Sequence, residues 1–289
     1  MVATAQRDSN LSRFRRLLCL CTAAVLLVAC DVSGVRGDRM TVQTGQHPYA
    51  FQEDDLHINY LLYLPDSYGR NPWKRWPLLI FLHGSGETGL TMEHLSRVAA
   101  NGPPRELAGP VPLPDLADNF IVLSPQSPDN QYWETQFAVL DALLAEIEST
   151  YAIDPTRVYL TGLSLGGFGT WQYAERHPDH FAALVPVAAG YDHVFETRYV
   201  GAGYYEGKIR FPAIPDSLCS LKHIPVWVFH GARDETIPHN ETANVVVDAF
   251  RACGGNVSYT LYPDAGHDSW TETYANPELY RWLLAQRKD

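Results

Sequence analysis

Short apolar runs alternate with helical patterns along most of this chain, and that alternation limits what it can fold into. Leu78–Leu82, Phe120–Leu123, Val158–Thr161, Leu184–Ala188 and Val226–Phe229 are rich in apolar, β-branched and aromatic residues. Runs of this kind read as strands buried on both faces. Between them, Phe137, Leu140, Leu143, Leu144 and Ile147 recur at helical spacing until Asp154 and Pro155 stop the run. Val245, Val246, Ala249 and Phe250 repeat the pattern before Gly254 and Gly255. The expected solution is a parallel sheet covered by helices. Ile58–Leu64 reads as an edge strand of that sheet and Tyr259–Tyr262 as a further strand. Pro277–Gln286 reads as a terminal helix with Leu279, Trp282 and Leu283 inward. With 289 residues and 46% hydrophobic composition there is material for one full core. No internal repeat or long linker divides it, so one catalytic domain is expected over residues 41–289.

The N-terminus is read apart from that domain. Arg13, Arg15 and Arg16 precede an apolar run from Leu17 to Ala29, too short for a spanning helix, which needs about 20 residues. Residues 1–29 are therefore expected to be an export signal. Leu27-Val28-Ala29-Cys30 resembles the lipobox of bacterial lipoproteins, which implies a lipidated Cys30, a tether over 30–40 and a membrane-anchored protein facing the periplasm or exterior. An ordinary secretory signal with an incidental Cys30 is the plainer alternative. The 22 Lys and Arg stand against 33 Asp and Glu, which argues against a nucleic-acid partner. Losing Arg7, Asp8, Arg13, Arg15 and Arg16 with the signal makes the chain more acidic still. Of the five cysteines, only Cys219 and Cys253 then remain to pair in an oxidising compartment, two buried thiols being the other possibility. No CxxC or HExxH spacing offers a metal site, and no cofactor is called for.

Gly162-Leu163-Ser164-Leu165-Gly166 follows the run Val158–Thr161 directly and precedes a helical stretch. A G-x-S-x-G in that context is a tight strand-to-helix turn that lifts a serine hydroxyl above the sheet. A serine needs a base, and the base needs a carboxylate to hold its tautomer. Asp234 lies just past Val226–Phe229 and His267 just past Tyr259–Tyr262, so Ser164, His267 and Asp234 form the candidate triad; Asp192 is the alternative acid. The oxyanion requires two donors. Leu165 N–H is one, and the loop His83-Gly84-Ser85-Gly86-Glu87-Thr88-Gly89 supplies the other from Ser85, with Gly86 as fallback. A phosphate-loop reading of these glycines fails for want of a following Lys-Ser or Lys-Thr. His83 and His230 read as rings bonded to nearby backbone, His177 and His180 as helix-end caps, and Asp264 and Asp268 as loop or cap carboxylates. The stretch from Asp192 to Ile224, with Phe195, Tyr199, Tyr204 and Tyr205 among glycines, emerges on the Ser164 side and is a candidate lid.

With these residues in place the chain resembles α/β-hydrolases of the carboxylesterase, feruloyl esterase and predicted-peptidase group related to polyhydroxybutyrate depolymerases. Phe81–Gly89, Tyr151–Gly169, Phe229–Pro238 and Tyr262–Trp270 follow that group's blocks in order. The resemblance implies an α/β-hydrolase fold with a mostly parallel sheet and helices on both faces. It also implies Ser164, Asp234 and His267 as triad, and Ser85 and Leu165 as oxyanion donors. The expected activity is hydrolysis of carboxylic esters, including aryl or glycan-linked ones, through an acyl-enzyme, with no cofactor. A serine peptidase of the same fold is the alternative, and a silent binding module the alternative from another class.

Overall fold

A computed structural model describes residues 43–201 and 204–288, the side chains of 197–206 excepted. The signal over 1–29, Cys30 and the tether to residue 40 lie outside the described residues.

The described residues contain ten strands: β1 (Gly45–Glu53), β2 (Leu56–Leu64), β3 (Trp76–Leu82), β4 (Ile121–Gln126), β5 (Ile153–Leu163), β6 (Ala183–Val187), β7 (Val194–Gly201), β8 (Tyr204–Arg210), β9 (Val226–Gly231) and β10 (Val257–Tyr262). Helices are α1 (Gly102–Ala108), α2 (Pro114–Ala117), α3 (Phe137–Thr150), α4 (Leu165–Arg176), α5 (Ala243–Ala252), α6 (Trp270–Ala275) and α7 (Pro277–Ala285). Eight strands form one sheet in the order β1-β2-β4-β3-β5-β6-β9-β10. From β4 to β10 every pairing is parallel, whereas β1–β2 and β2–β4 are antiparallel.

The period of two along each central strand divides the core between the two faces. Leu78, Ile80 and Leu82 of β3 join Ile121 and Leu123 of β4 and Leu160 of β5 on one face. There they meet Leu140, Leu143, Leu144 and Ile147 of α3, Trp171 of α4 and Val246, Val247 and Phe250 of α5. Leu79 and Phe81 turn to the other face with Val122, Tyr159 and Phe229, against Leu107 of α1, Leu116 of α2, Tyr274 of α6 and Leu279 and Leu283 of α7. Both faces being dry explains why these strands read as continuous apolar runs.

Three expectations need correction. The expected edge strand Ile58–Leu64 lies one place inside the sheet, because β1 pairs along its whole length and takes the edge. That edge tolerates Pro48, which lacks an N–H to donate. The apolar stripe of α5 is rotated: Val247 is buried and Val245 is exposed. Trp282 is only partly buried on α7. The stretch after Asp192 is an antiparallel hairpin, β7–β8, in a sheet of its own, followed by a 3-10 turn at Asp216–Leu221. Cys219 on that turn is disulfide-bonded to Cys253, which closes the C-terminal end of α5, with Cα atoms 5.3 Å apart.

The chain leaves β3 for β4 on one side and returns to β5 on the other. Order reverses between β3 and β5, and a crevice opens at such a point beyond the carboxyl ends of the strands. The loop after Leu82 and the turn at Ser164 both reach it.

Candidate active site

Ser164 stands between β5 and α4 with φ +50° and ψ −115°, a backbone that costs a residue other than glycine roughly 1–3 kcal/mol. The turn is this tight because its neighbours are glycines. A Cβ on Gly166 would run into the Leu82 carbonyl, and one on Gly162 into the Gly166 carbonyl. Ser164 N–H donates to Val187 O at 2.9 Å, and Ser164 O accepts from Gly167 N at 2.9 Å, so the strained residue is held from both sides. Leu165 begins α4, so its N–H has no intrahelical acceptor.

Ser164 Oγ lies 2.9 Å from His267 Nε2, and His267 Nδ1 lies 2.7 Å from Asp234 Oδ2. Each partner follows a strand: Asp234 comes after β9, His267 after the neighbouring β10. The Asp234 side chain is fully buried. Its Oδ1 accepts from Thr236 N at 2.9 Å and Ile237 N at 2.8 Å. Burial alone would push this carboxyl up. The bonds donated by His230, His267 and Ile237 N–H, with the attraction of His267, outweigh that and hold it far below the usual carboxylate range. Asp192 is not brought to the site: Oδ1 is taken by Gln172 Nε2 at 2.8 Å and His193 N at 2.7 Å.

The other singled-out groups are also placed. His83 bonds Gly84 O at 2.6 Å and Ser127 N at 2.9 Å. His230 bonds Ile237 O at 2.8 Å but also lies 3.2 Å from Asp234 Oδ2, a contact not anticipated. His177 caps α4 only through its backbone N–H, on Ala174 O; its ring pairs with Asp141 at 2.8 Å, and the His180 ring lies 3.0 Å from Glu148. Asp264 pairs with exposed Arg233, and Asp268 caps the start of α6 through Thr271 N.

Ser85 opens a 3-10 turn, Ser85–Glu87, and lines the same pocket as Ser164, Leu165 and His267. Glu87 escaped the sequence reading. It is buried, which pushes its carboxyl up against the opposing bonds of Asn101, Gly84 and its own N–H. Asn101 Nδ2 donates to Glu87 Oε1 at 2.5 Å, while Asn101 Oδ1 accepts from Trp270 Nε1 at 3.1 Å. The Trp270 ring stands edge-on to His267 at 5.1 Å. One asparagine thus ties the loop after β3 to the wall behind His267.

The pocket holds about 590 Å³. Its far wall is aromatic: Tyr132 and Phe195 stack at 6.1 Å, and His193 lies 4.4 Å from Phe168 and 5.2 Å from Tyr132. Phe195 and Ile209 come from β7 and β8, so the hairpin supplies part of the wall. Tyr199, Tyr204 and Tyr205 belong to the same hairpin, their side chains outside the described ones. Among the described residues no cluster of His, Cys, Asp or Glu is arranged to hold a metal ion.

The model of the prolyl oligopeptidase family matches residues 133–286, more than half of the chain. The chain belongs to the prolyl oligopeptidase family. Ser164, Asp234 and His267 all fall inside the matched span of this prolyl oligopeptidase family member, and Ser85 precedes it. It is 31% identical over 128 residues to a protein of Methylorubrum extorquens described as a carboxymethylenebutenolidase, covering 44% of this chain and 39% of that protein. It is 30% identical over 118 residues to poly(3-hydroxyalkanoate) depolymerase C of Paucimonas lemoignei, covering 39% of this chain and 28% of the depolymerase. The chain thus spans well under half the length of either relative. Among solved structures it resembles a thermostable esterase with TM-score 0.64 and 28% identity, over 84% of this chain and 63% of that one. The fold is the α/β-hydrolase fold, as the resemblance implied.

Proposed function

We propose that the protein is a serine hydrolase that cleaves carboxylic esters through an acyl-enzyme. The observation that carries this is the unbroken line of donors and acceptors from Ser164 Oγ through His267 to Asp234, opening on a pocket of about 590 Å³. His267 Nε2 takes the Ser164 proton as Oγ attacks the acyl carbon. Asp234, ionised and buried, keeps the other ring proton on Nδ1 and stabilises the imidazolium. The developing oxyanion turns towards the N–H groups of Leu165 and Ser85. Collapse breaks the ester bond, and the imidazolium returns its proton to the departing alcohol. Water then repeats the sequence on the acyl-enzyme, with His267 again as base. The aromatic wall favours a flat or apolar acyl or alcohol group, and aryl and carbohydrate-linked esters are the proposed substrates. Family membership supports amide hydrolysis as a second reading, because the same triad attacks amides.

Steady-state assays on aryl esters, acetylated sugars and peptide amides separate the two. Ester turnover should exceed amide turnover, and Ser164→Ala should lower kcat by on the order of a thousandfold or more with the melting temperature unchanged. Activity of Ser164→Ala within a few-fold of the parent would remove Ser164 from the mechanism.

We also propose that the protein is exported and anchored through lipid on Cys30. The apolar run ending at Ala29 supports this, as does the Cys219–Cys253 bond, which suits an oxidising compartment. Cys30→Ser should move the protein from the membrane to the soluble fraction on cell fractionation; retention in the membrane would refute the anchor.

A further inference from the structure

His230, next to last in β9, has no exposed surface and no part in the chemistry set out above. Its Nε2 is 2.8 Å from Ile237 O and 3.2 Å from Asp234 Oδ2, so one N–H is shared between a backbone carbonyl and the carboxylate that orients His267. Its Nδ1 is buried without a hydrogen-bond partner among the described residues. A proton on Nδ1 would have no acceptor, so the ring carries its proton on Nε2, where both acceptors lie. A buried nitrogen left bare is costly, and an aliphatic side chain of similar size would avoid that cost. The ring is therefore better explained by what Nε2 does than by packing.

Asp234 shows what that is. Oδ1 is pinned by the N–H groups of Thr236 and Ile237. Oδ2 receives His267 Nδ1–H at 2.7 Å, and His230 Nε2 lies 3.2 Å from the same oxygen. Without His230, Oδ2 would keep only the bond from His267, the base whose position it has to set, and the two N–H groups on Oδ1 alone would resist its rotation. Ile237 closes the arrangement: its N–H holds Asp234, its carbonyl accepts from His230, and its side chain lines the pocket. Resting on the triad reading proposed above, we propose that His230 is a positioning residue that locks the Asp234 carboxylate in the orientation His267 requires and couples it to the pocket wall at Ile237.

Two variants test this against a merely structural role. His230→Gln keeps an N–H about where Nε2 stands, and His230→Leu removes it. With an ester substrate, His230→Leu should lose roughly ten- to a hundredfold in kcat, the worth of one hydrogen bond to a charged group, with KM within about twofold. His230→Gln should recover most of that loss. Leu at parental kcat, or Leu and Gln equally impaired, overturns the proposal. Should His230→Leu fail to fold, nitrogen-15 NMR of the histidines in the parent protein decides: the proton of His230 on Nε2 upholds the assignment, and a proton on Nδ1 overturns it. Ser164→Ala separates the two levels. If that variant stays active, the triad reading fails; if it is dead while His230→Leu is unimpaired, only the role of His230 falls.

Discussion

His83 follows β3 directly with both ring nitrogens engaged, one on Gly84 O and the other receiving Ser127 N–H. A second proton would cost the bond from Ser127 and leave a charge with no exposed surface. Burial accordingly pushes the imidazole down to about 4, the bond to Gly84 opposing it only in part. The unfolded chain takes up that proton near pH 6.5, so between there and pH 4 the unfolded state binds more protons than the native one and stability falls as the pH is lowered. The loss should amount to roughly 3 kcal/mol and level off below pH 4. Urea unfolding of His83→Gln should lack this slope between pH 7 and 4; a slope equal to that of the parent would place its origin elsewhere. Asp234 acts lower on the scale. Its depressed carboxyl contributes stability that is complete above about pH 4, the unfolded value, and is lost as pH falls towards its folded value. Both residues are polar groups in a dry core, tolerable only because their bonds are satisfied.

The hairpin β7–β8 lines part of the pocket through Phe195 and Ile209. Phe195 is 53% exposed yet stacks on Tyr132, so its removal should open the wall without a core cavity. Phe195→Ala should lower kcat/KM for a bulky aryl ester by about tenfold and leave a small acetate ester within about twofold, because only the larger substrate reaches it. Equal losses on both would mean that the hairpin supports the fold rather than the specificity. Elements differ in how openly they show in the sequence, for physical reasons. The central strands are dry on both faces and carry an apolar signature with no polar interruption. β1 buries only Phe51 and carries Gln46, His47, Pro48, Gln52 and Glu53, so neither alternation nor hydrophobicity marks it. β7–β8 forms a two-stranded sheet of its own, and Arg210 and Glu196 on it make an exposed pair. α5 shows its period clearly, but Val245, Val246 and Val247 in succession leave the direction of the stripe undecided until the sheet supplies a face.

Across the whole molecule, the proposed triad is legible because each member follows its own strand and parallel sheets bring such loops to one edge. The links among the loops are not legible. Asn101 joins Glu87, 14 positions away, to Trp270, 169 positions away, and only the sheet order makes them neighbours. His230 was legible as a buried ring bonded to backbone; its second contact depended on how the turn from Asp234 to Ile237 folds back. The Cys219–Cys253 bond divides this machinery in a way that neither sequence position nor distance suggests. Covalently, residues 219–253 form a ring with a separation of 34, and inside it lie His230, Asp234 and Ile237, while Ser164 and His267 lie outside. Closing a ring of that length removes roughly 4 kcal/mol of unfolded-state entropy. A reductant that opens it withdraws that restraint from the segment carrying Asp234 and leaves Ser164 and His267 on chain outside the ring.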